Sequence, residues 1–229
     1  MGRQRFPISD FLASLQLFRG LEAAAIARLV AGTSECDAPR GTIVYHRGQP
    51  GSGMHVVVYG QVKLSLQTGD GDERVIGLVD PGSSFGEAPM FLAKPCLTTA
   101  ETIVDSKLLL IGKEVLLAEV RRDPDLSHTV IANLSAKLYQ QIENLEICTL
   151  SSGVRRVIRY LLNNGPEHSA GGALHITLPT KKWIIASRLN LTHEHFSRIL
   201  QALIRDDLIE VEGRRVRIPD PVRLRAYAN

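Results

Sequence analysis

The chain has 229 residues, 44% hydrophobic and 22% charged, an ordinary balance for a soluble globular protein of one large domain or two modest ones. It contains no apolar run of about 18 residues, and the start MGRQRFPISDF lacks the apolar segment of a secretory signal, so the expectation is a cytoplasmic protein without membrane contact. The net charge of +3 is unevenly spread: from Ser151 onward 13 Lys and Arg face 7 Asp and Glu, against 14 and 17 before it, which suits a polyanion partner for the C-terminal third.

Short helices are predicted around Phe11 to Leu17 and from Leu21 to Ala31. From Arg40 the chain changes character. TIVYHRG, MHVVVYG, QVKLSLQTGDGDERVIGLV and SKLLLIG are rich in Val, Ile, Leu and Tyr and broken by glycines, the pattern of a small antiparallel barrel or jelly roll. QTGDGDE reads as a hairpin turn, with Val62, Leu64 and Leu66 alternating before it and Val75 and Ile76 resuming after it.

Between Asp123 and Leu150 the apolar period lengthens to nearly four. Leu126, Val130, Leu134, Leu138, Ile142 and Leu145 form one stripe, while Ile131, Leu138 and Leu145 are spaced by sevens. A helix of about seven turns is expected, its stripe pairing with a second copy of the chain. The alternative is a helix lying on its own barrel. Ser151, Ser152 and Gly153 then mark a bend. The domains expected are thus 1–122, a barrel with flanking helices; 123–150, a dimerisation helix; and 151–229, a helical unit ending in a small hairpin or wing, where Ile209 and Val211 face Val216 and Ile218. The fold class is α+β.

Within the last unit, LTHEHFSRILQAL raises two readings. His193 and His195 beside Glu194 suggest a metal-dependent hydrolase, whereas Glu194, Ser197 and Arg198 suit a surface that reads DNA bases. Thr192 is a good N-cap, and Phe196, Ile199, Leu200 and Leu203 then share one helical face. The opposite face carries Glu194, Ser197, Arg198, Gln201 and Arg205. The two histidines fall about 200° apart around the axis, so they cannot hold one ion together; helical metal pairs need a spacing of three or four. No metal ligand set is assigned. Upstream, Thr180 is expected to start a helix carrying Lys181 and Lys182, with Ile184, Ile185 and Leu189 inward, and Asn190 can take the left-handed turn. That makes a helix-turn-helix.

The order of barrel, long helix and winged helix-turn-helix resembles the Crp/Fnr family of bacterial transcription regulators over nearly the whole chain. FRGL at Phe18 to Leu21, RGQP at Arg47 to Pro50, YGQVKL at Tyr59 to Leu64, GSSFGEAPMF at Gly82 to Phe91 and EHFSRIL at Glu194 to Leu200 carry the resemblance. It implies a cyclic-nucleotide-binding-like barrel, a homodimer and no enzymatic activity. It also implies double-stranded promoter DNA, read as an inverted repeat, and RNA polymerase as partners. Activation is the family habit. Glu194, Ser197 and Arg198 match the E-x-x-S-R pattern of the Fnr-like branch, which reads TTGAT-type half-sites. His193 stands where the cAMP-receptor branch has an arginine. Thr180, Lys181, Lys182, Arg214 and Arg215 are expected at phosphates.

For the effector, Gly86 and Glu87 match the family's Gly-Glu pair, but the Arg-Ser pair of cAMP-binding members falls on Leu97 and Thr98. The cation for a buried phosphate is missing, which disfavours cAMP. With only Cys36, Cys96 and Cys148, well apart, no [4Fe-4S] cluster is expected. GEAPMF looks most like the Dnr/Nnr branch, which regulates denitrification in response to nitric oxide through haem. His46, His55 and His128 are the candidate haem ligands on that resemblance. The effector itself is not identified.

Overall fold

The computed structural model describes residues 7–67, 73–150, 152–163, 173–178 and 180–227, with side chains of 143–150 left aside. Two compact units divide at Leu138 and Tyr139, inside the long helix expected at 123–150. In chain order the first unit holds α1 (Ile8–Ser14), α2 (Ala23–Ala31), β1 (Thr33–Ala38), β2 (Ile43–Tyr45), β3 (Gly53–Tyr59), β4 (Val62–Gln67), β5 (Glu73–Val79), β6 (Ser84–Phe85), α3 (Glu87–Leu92), β7 (Thr99–Thr102), β8 (Ser106–Gly112) and α4 (Lys113–Arg122). The helix α5 (Pro124–Leu150) follows.

Every strand pair in this unit is antiparallel. One sheet runs β1-β8-β3-β6 and the other β2-β7-β4-β5, so the barrel is a two-sheet jelly roll. The alternation of β3 explains its layers. Val57 points between the sheets with Val62, Phe85 and Leu108, whereas Met54 and Val56 point outward under the helices, with Leu12, Phe18, Leu29, Leu116 and Leu126. Beneath that helical layer, buried Glu119 of α4 takes two bonds from the Arg28 guanidinium, at 2.7 and 2.8 Å, and one from Arg122 at 2.9 Å. These pin α2 to α4. The β4–β5 hairpin pairs Val62 with Val79 and Gln67 with Glu73; its turn lies outside the described residues.

The apolar stripe expected along α5 divides into two faces, and this corrects its assignment to a partner subunit. Leu126 and Val130 are buried in their own unit's core, with Leu134 packed against it. Ile131, Leu138 and Ile142 are about 60% exposed. A spacing of four overshoots a helical turn by about 40° per step, so residues 126 and 142 differ by about 160°. Residues 131, 138 and 142 instead stay within about 40° of one another. Leu126 and Val130 are therefore core residues, and the side chain of Leu145 lies outside the described set.

The second unit contains α6 (Gly153–Asn163), β9 (Leu174–Thr177), α7 (Lys182–Arg188), α8 (His193–Arg205), β10 (Glu210–Glu212), β11 (Arg215–Ile218) and α9 (Pro221–Tyr227). Its core joins Val157, Ile158 and Leu161 of α6 to Ile185 and Ala186 of α7 and Phe196, Leu200 and Leu203 of α8. Asn190, with φ of 55°, turns the chain between α7 and α8. The wing pairs Val211 with Val216 across Gly213, and β9 adds a third strand beside β11. The start of α7 differs from the expectation. Lys181 is the N-cap and Lys182 the first helical residue, while Thr180 is buried at 5% exposure.

Candidate nucleic-acid interface and effector pocket

The helix α8 is set by its cap. Thr192 Oγ1 accepts the His195 backbone N–H at 3.1 Å, satisfying one of the free donors of the first turn. Phe196, Ile199, Leu200 and Leu203 are buried, which turns Glu194, Arg198, Gln201 and Arg205 outward and leaves Ser197 half-buried. The Glu194 carboxyl is held below the ordinary range by its own backbone N–H and the Thr192 hydroxyl, with His193 and Arg198 adding attraction. At neutral pH the outer face thus offers a carboxylate acceptor one turn from a guanidinium donor.

A shallow depression lined by Lys182, Ser197, Gln201 and Gly213 brings α7, α8 and the wing turn together. Lys181 is exposed at the α7 cap. Arg214 is exposed, but its Nε and Nη2 donate to the Leu178 carbonyl at 2.9 and 2.7 Å, so part of its fork holds the wing in place. Arg215 is exposed on β11. Burial takes the Thr180 side chain off this surface and corrects its expected phosphate role. His193 and His195 are both exposed, and among the described residues no three His, Cys, Asp or Glu side chains converge as a metal set.

Sequence reasoning assigned α6 to the helical unit but gave its outer face no role. Its inner face is Val157, Ile158 and Leu161, leaving Arg155 and Arg159 on the exposed side. A Cβ on Gly153 would meet Leu191 at 3.1 Å and His195 at 3.3 Å, and Arg156 Nη2 donates to the Asn190 carbonyl at 3.3 Å. The first turn of α6 therefore abuts the first turn of α8. The Arg-x-x-x-Arg spacing in RRVIRYLL was the available signal.

In the barrel, Gly86 stands between β6 and α3, and its φ of 86° and closeness to Gly53 O admit no side chain without strain. Glu87 follows, buried at 8% exposure. Leu97 is 76% exposed and Thr98 half-buried, so Leu97 does not line an interior pocket as expected. His55 is 8% exposed, stacks on Phe85 with centroids 4.9 Å apart and lies 5.7 Å from the Tyr45 ring. Burial lowers its pKa to about 4, against a raising influence from Glu87. Its Nδ1 has no hydrogen-bond partner among the described residues. Burial likewise pushes the Tyr45 phenol up to about 12, opposed by a hydrogen bond from Thr98. His46 and His128 are exposed. From α5, Lys137 Nζ reaches Glu87 Oε1 at 2.7 Å.

Residues 35–123 match the family of cyclic nucleotide-binding domains, and residues 155–227 match the Crp-like helix-turn-helix domain. The chain belongs to the Crp/Fnr family of transcription regulators. Members of the Crp/Fnr family similar to it include the CRP-like cAMP-activated global transcriptional regulator of Mycobacterium tuberculosis, 27% identical over 95% of this chain and 98% of the relative. The nitrogen fixation regulation protein FixK of Azorhizobium caulinodans is 29% identical over 89% of this chain and 83% of that protein. Among solved structures, DNR from Pseudomonas aeruginosa is 28% identical, covering 99% of this chain and all of that one, with a TM-score of 0.53.

Crp/Fnr membership makes this a DNA-binding regulator with α8 as the second helix of the helix-turn-helix. No helix among the described residues is long and apolar enough to cross a membrane.

Proposed function

We propose that the chain is a homodimeric regulator that reads an inverted TTGAT-like repeat and answers to an effector in its barrel. The observation that carries this is the capped α8, with Glu194, Ser197 and Arg198 on the face opposite its buried side. A guanidinium donates to guanine O6 and N7 in bidentate fashion, and a carboxylate accepts from cytosine N4. His193 borders that pair. Lys181, Lys182, Arg214 and Arg215 serve phosphates, and Arg155 and Arg159 of α6 join them as sequence-independent contacts. The outward residues Ile131, Leu138 and Ile142 supply the seam for a second copy, in keeping with a two-fold symmetric target. RNA polymerase as a partner and activation as the outcome rest on family habit.

The Mycobacterium relative's name makes cAMP the first alternative effector. Leu97 and Thr98, in place of the Arg-Ser pair, weigh against it. The nitric oxide and denitrification reading narrows to one residue: of the three histidines, only His55 is buried, and its Nδ1 has no hydrogen-bond partner among the described residues, so His55 is the one that would hold a haem. Haem, when bound there, would supply the iron that takes the gas. Haem titrated into the purified protein should give a Soret band that His55→Ala removes and His46→Ala and His128→Ala keep. A band indifferent to His55 would end that reading. A hydrolase built on His193 and His195 is disfavoured by their separation around α8.

The base-reading claim is tested with Arg198→Ala in gel shifts on an inverted TTGAT repeat. Discrimination against a scrambled site should fall by about 1 to 3 kcal/mol while non-specific binding stays. Equal loss on both DNAs would make Arg198 a phosphate contact instead.

A further inference from the structure

Lys137 Nζ lies in a cradle of three oxygens: Glu87 Oε1 at 2.7 Å, the Ser84 carbonyl at 2.9 Å and Ser84 Oγ at 3.1 Å. Three acceptors match the three N–H donors of a primary ammonium. The two charged partners differ in how easily each can leave. The Glu87 side chain is 10% exposed and the Lys137 side chain 38%. A lysine stem can swing its charge into water at small cost, whereas a buried carboxylate stripped of its cation is strongly destabilising. The part that exchanges is therefore Lys137, and what replaces it must bring a positive charge.

The surroundings point the same way. His55, whose Nδ1 has no partner among the described residues and faces Gly86 next to Glu87, adds a further hydrogen-bonding site. At Leu97 and Thr98 no cation stands to meet a phosphate or a carboxylate. An anionic ligand would have to draw Lys137 away from Glu87 and leave that carboxylate buried without its cation.

We propose that the Ser84–Glu87 cradle is a binding site for small primary alkylammonium ligands, with Lys137 as a tethered occupant that such a ligand replaces. The inference rests on the barrel as the sensing domain and gives it a ligand class. Around α5, Lys137 lies about 20° from Leu126, on the inward face. Exchange of the ammonium would thus free a polar tie between α5 and the turn leading into α3. The sensing consequence is a change in how firmly the long helix is held to its own barrel.

The test is thermal unfolding of the full chain and of Lys137→Ala in ethylammonium chloride, against tetramethylammonium chloride at equal concentration. Lys137→Ala should melt below the wild type. Ethylammonium should raise its Tm by about 3 °C or more, while tetramethylammonium, which has no N–H to donate, should not. The wild type should need at least ten times more amine for the same rise, since the tethered lysine competes at high effective concentration (about millimolar or above). Lys137→Gln takes the same test if the alanine variant does not fold. The proposal is overturned if the two salts act alike, if Lys137→Ala is as stable as the wild type, or if Glu87→Gln/Lys137→Ala, which lacks the carboxylate, still responds to ethylammonium. None of these readouts involves DNA, so a failed cradle and a failed base-reading surface are told apart.

Discussion

His55 is buried at 8% exposure with its pKa lowered, and this makes stability depend on pH in a defined window. Its ordinary pKa of 6.5 is lowered to about 4 in the folded chain, first by burial. The unfolded state therefore takes up a proton that the folded state refuses. Stability present above pH 6.5 is lost as pH falls towards 4, by an amount on the order of 2 to 3 kcal/mol. His55→Phe keeps a ring against Phe85 and removes the titrating group. Chemical denaturation at pH 7 and pH 4.5 should show the wild type losing more stability than the variant; equal losses would mean that His55 is not buried in its neutral form. At the same scale, Glu194 shows how a local cap sets a neighbouring charge: the Thr192 hydroxyl that closes α8 also favours the ionised carboxylate. The helical face of Glu194, Ser197 and Arg198 was legible in the sequence because period and cap agree there. The burial of Thr180 was not, since a threonine before two lysines reads equally well as a cap or as a core hydroxyl.

At the scale of elements, α5 is where sequence and structure part most usefully. A single stripe at spacing four suggested one partner, yet the drift of about 40° per step hands Leu126, Val130 and Leu134 to the barrel and Leu138 and Ile142 to the outside. Leu126→Ala should therefore cost about 2 to 5 kcal/mol in unfolding, by opening a core cavity, and leave the oligomeric state unchanged. Ile131→Asn combined with Leu138→Asn should do the opposite, shifting the chain towards monomer in sedimentation with little loss of fold. A dimer untouched by the outer pair would place the seam elsewhere. The strands that sequence reading found, β2 to β5 and β8, carry runs of branched or aliphatic residues. It missed β1, β7, the two-residue β6 and, in the second unit, β9. TSECDA and TAET are polar, and they pair at the edge of one sheet and within the other through backbone bonds that need no apolar period. Likewise α6 was read only as part of the helical unit, because its closeness to α8 is tertiary and the sequence shows no more of it than an Arg-x-x-x-Arg spacing.

At the scale of the whole molecule, the proposal joins a symmetric target to a symmetric protein: two copies of α8, each reading one half-site, about one helical turn of DNA apart. Affinity then comes from phosphate contacts on both copies, and sequence discrimination from Glu194 and Arg198 acting twice. The binding constant of the wild type should be compared on three duplexes: an intact inverted TTGAT repeat, the same duplex with one half-site scrambled, and one with the half-sites moved half a helical turn apart. The account predicts tight binding to the first and a loss of at least tenfold on each of the other two. Equal affinity for all three would contradict it.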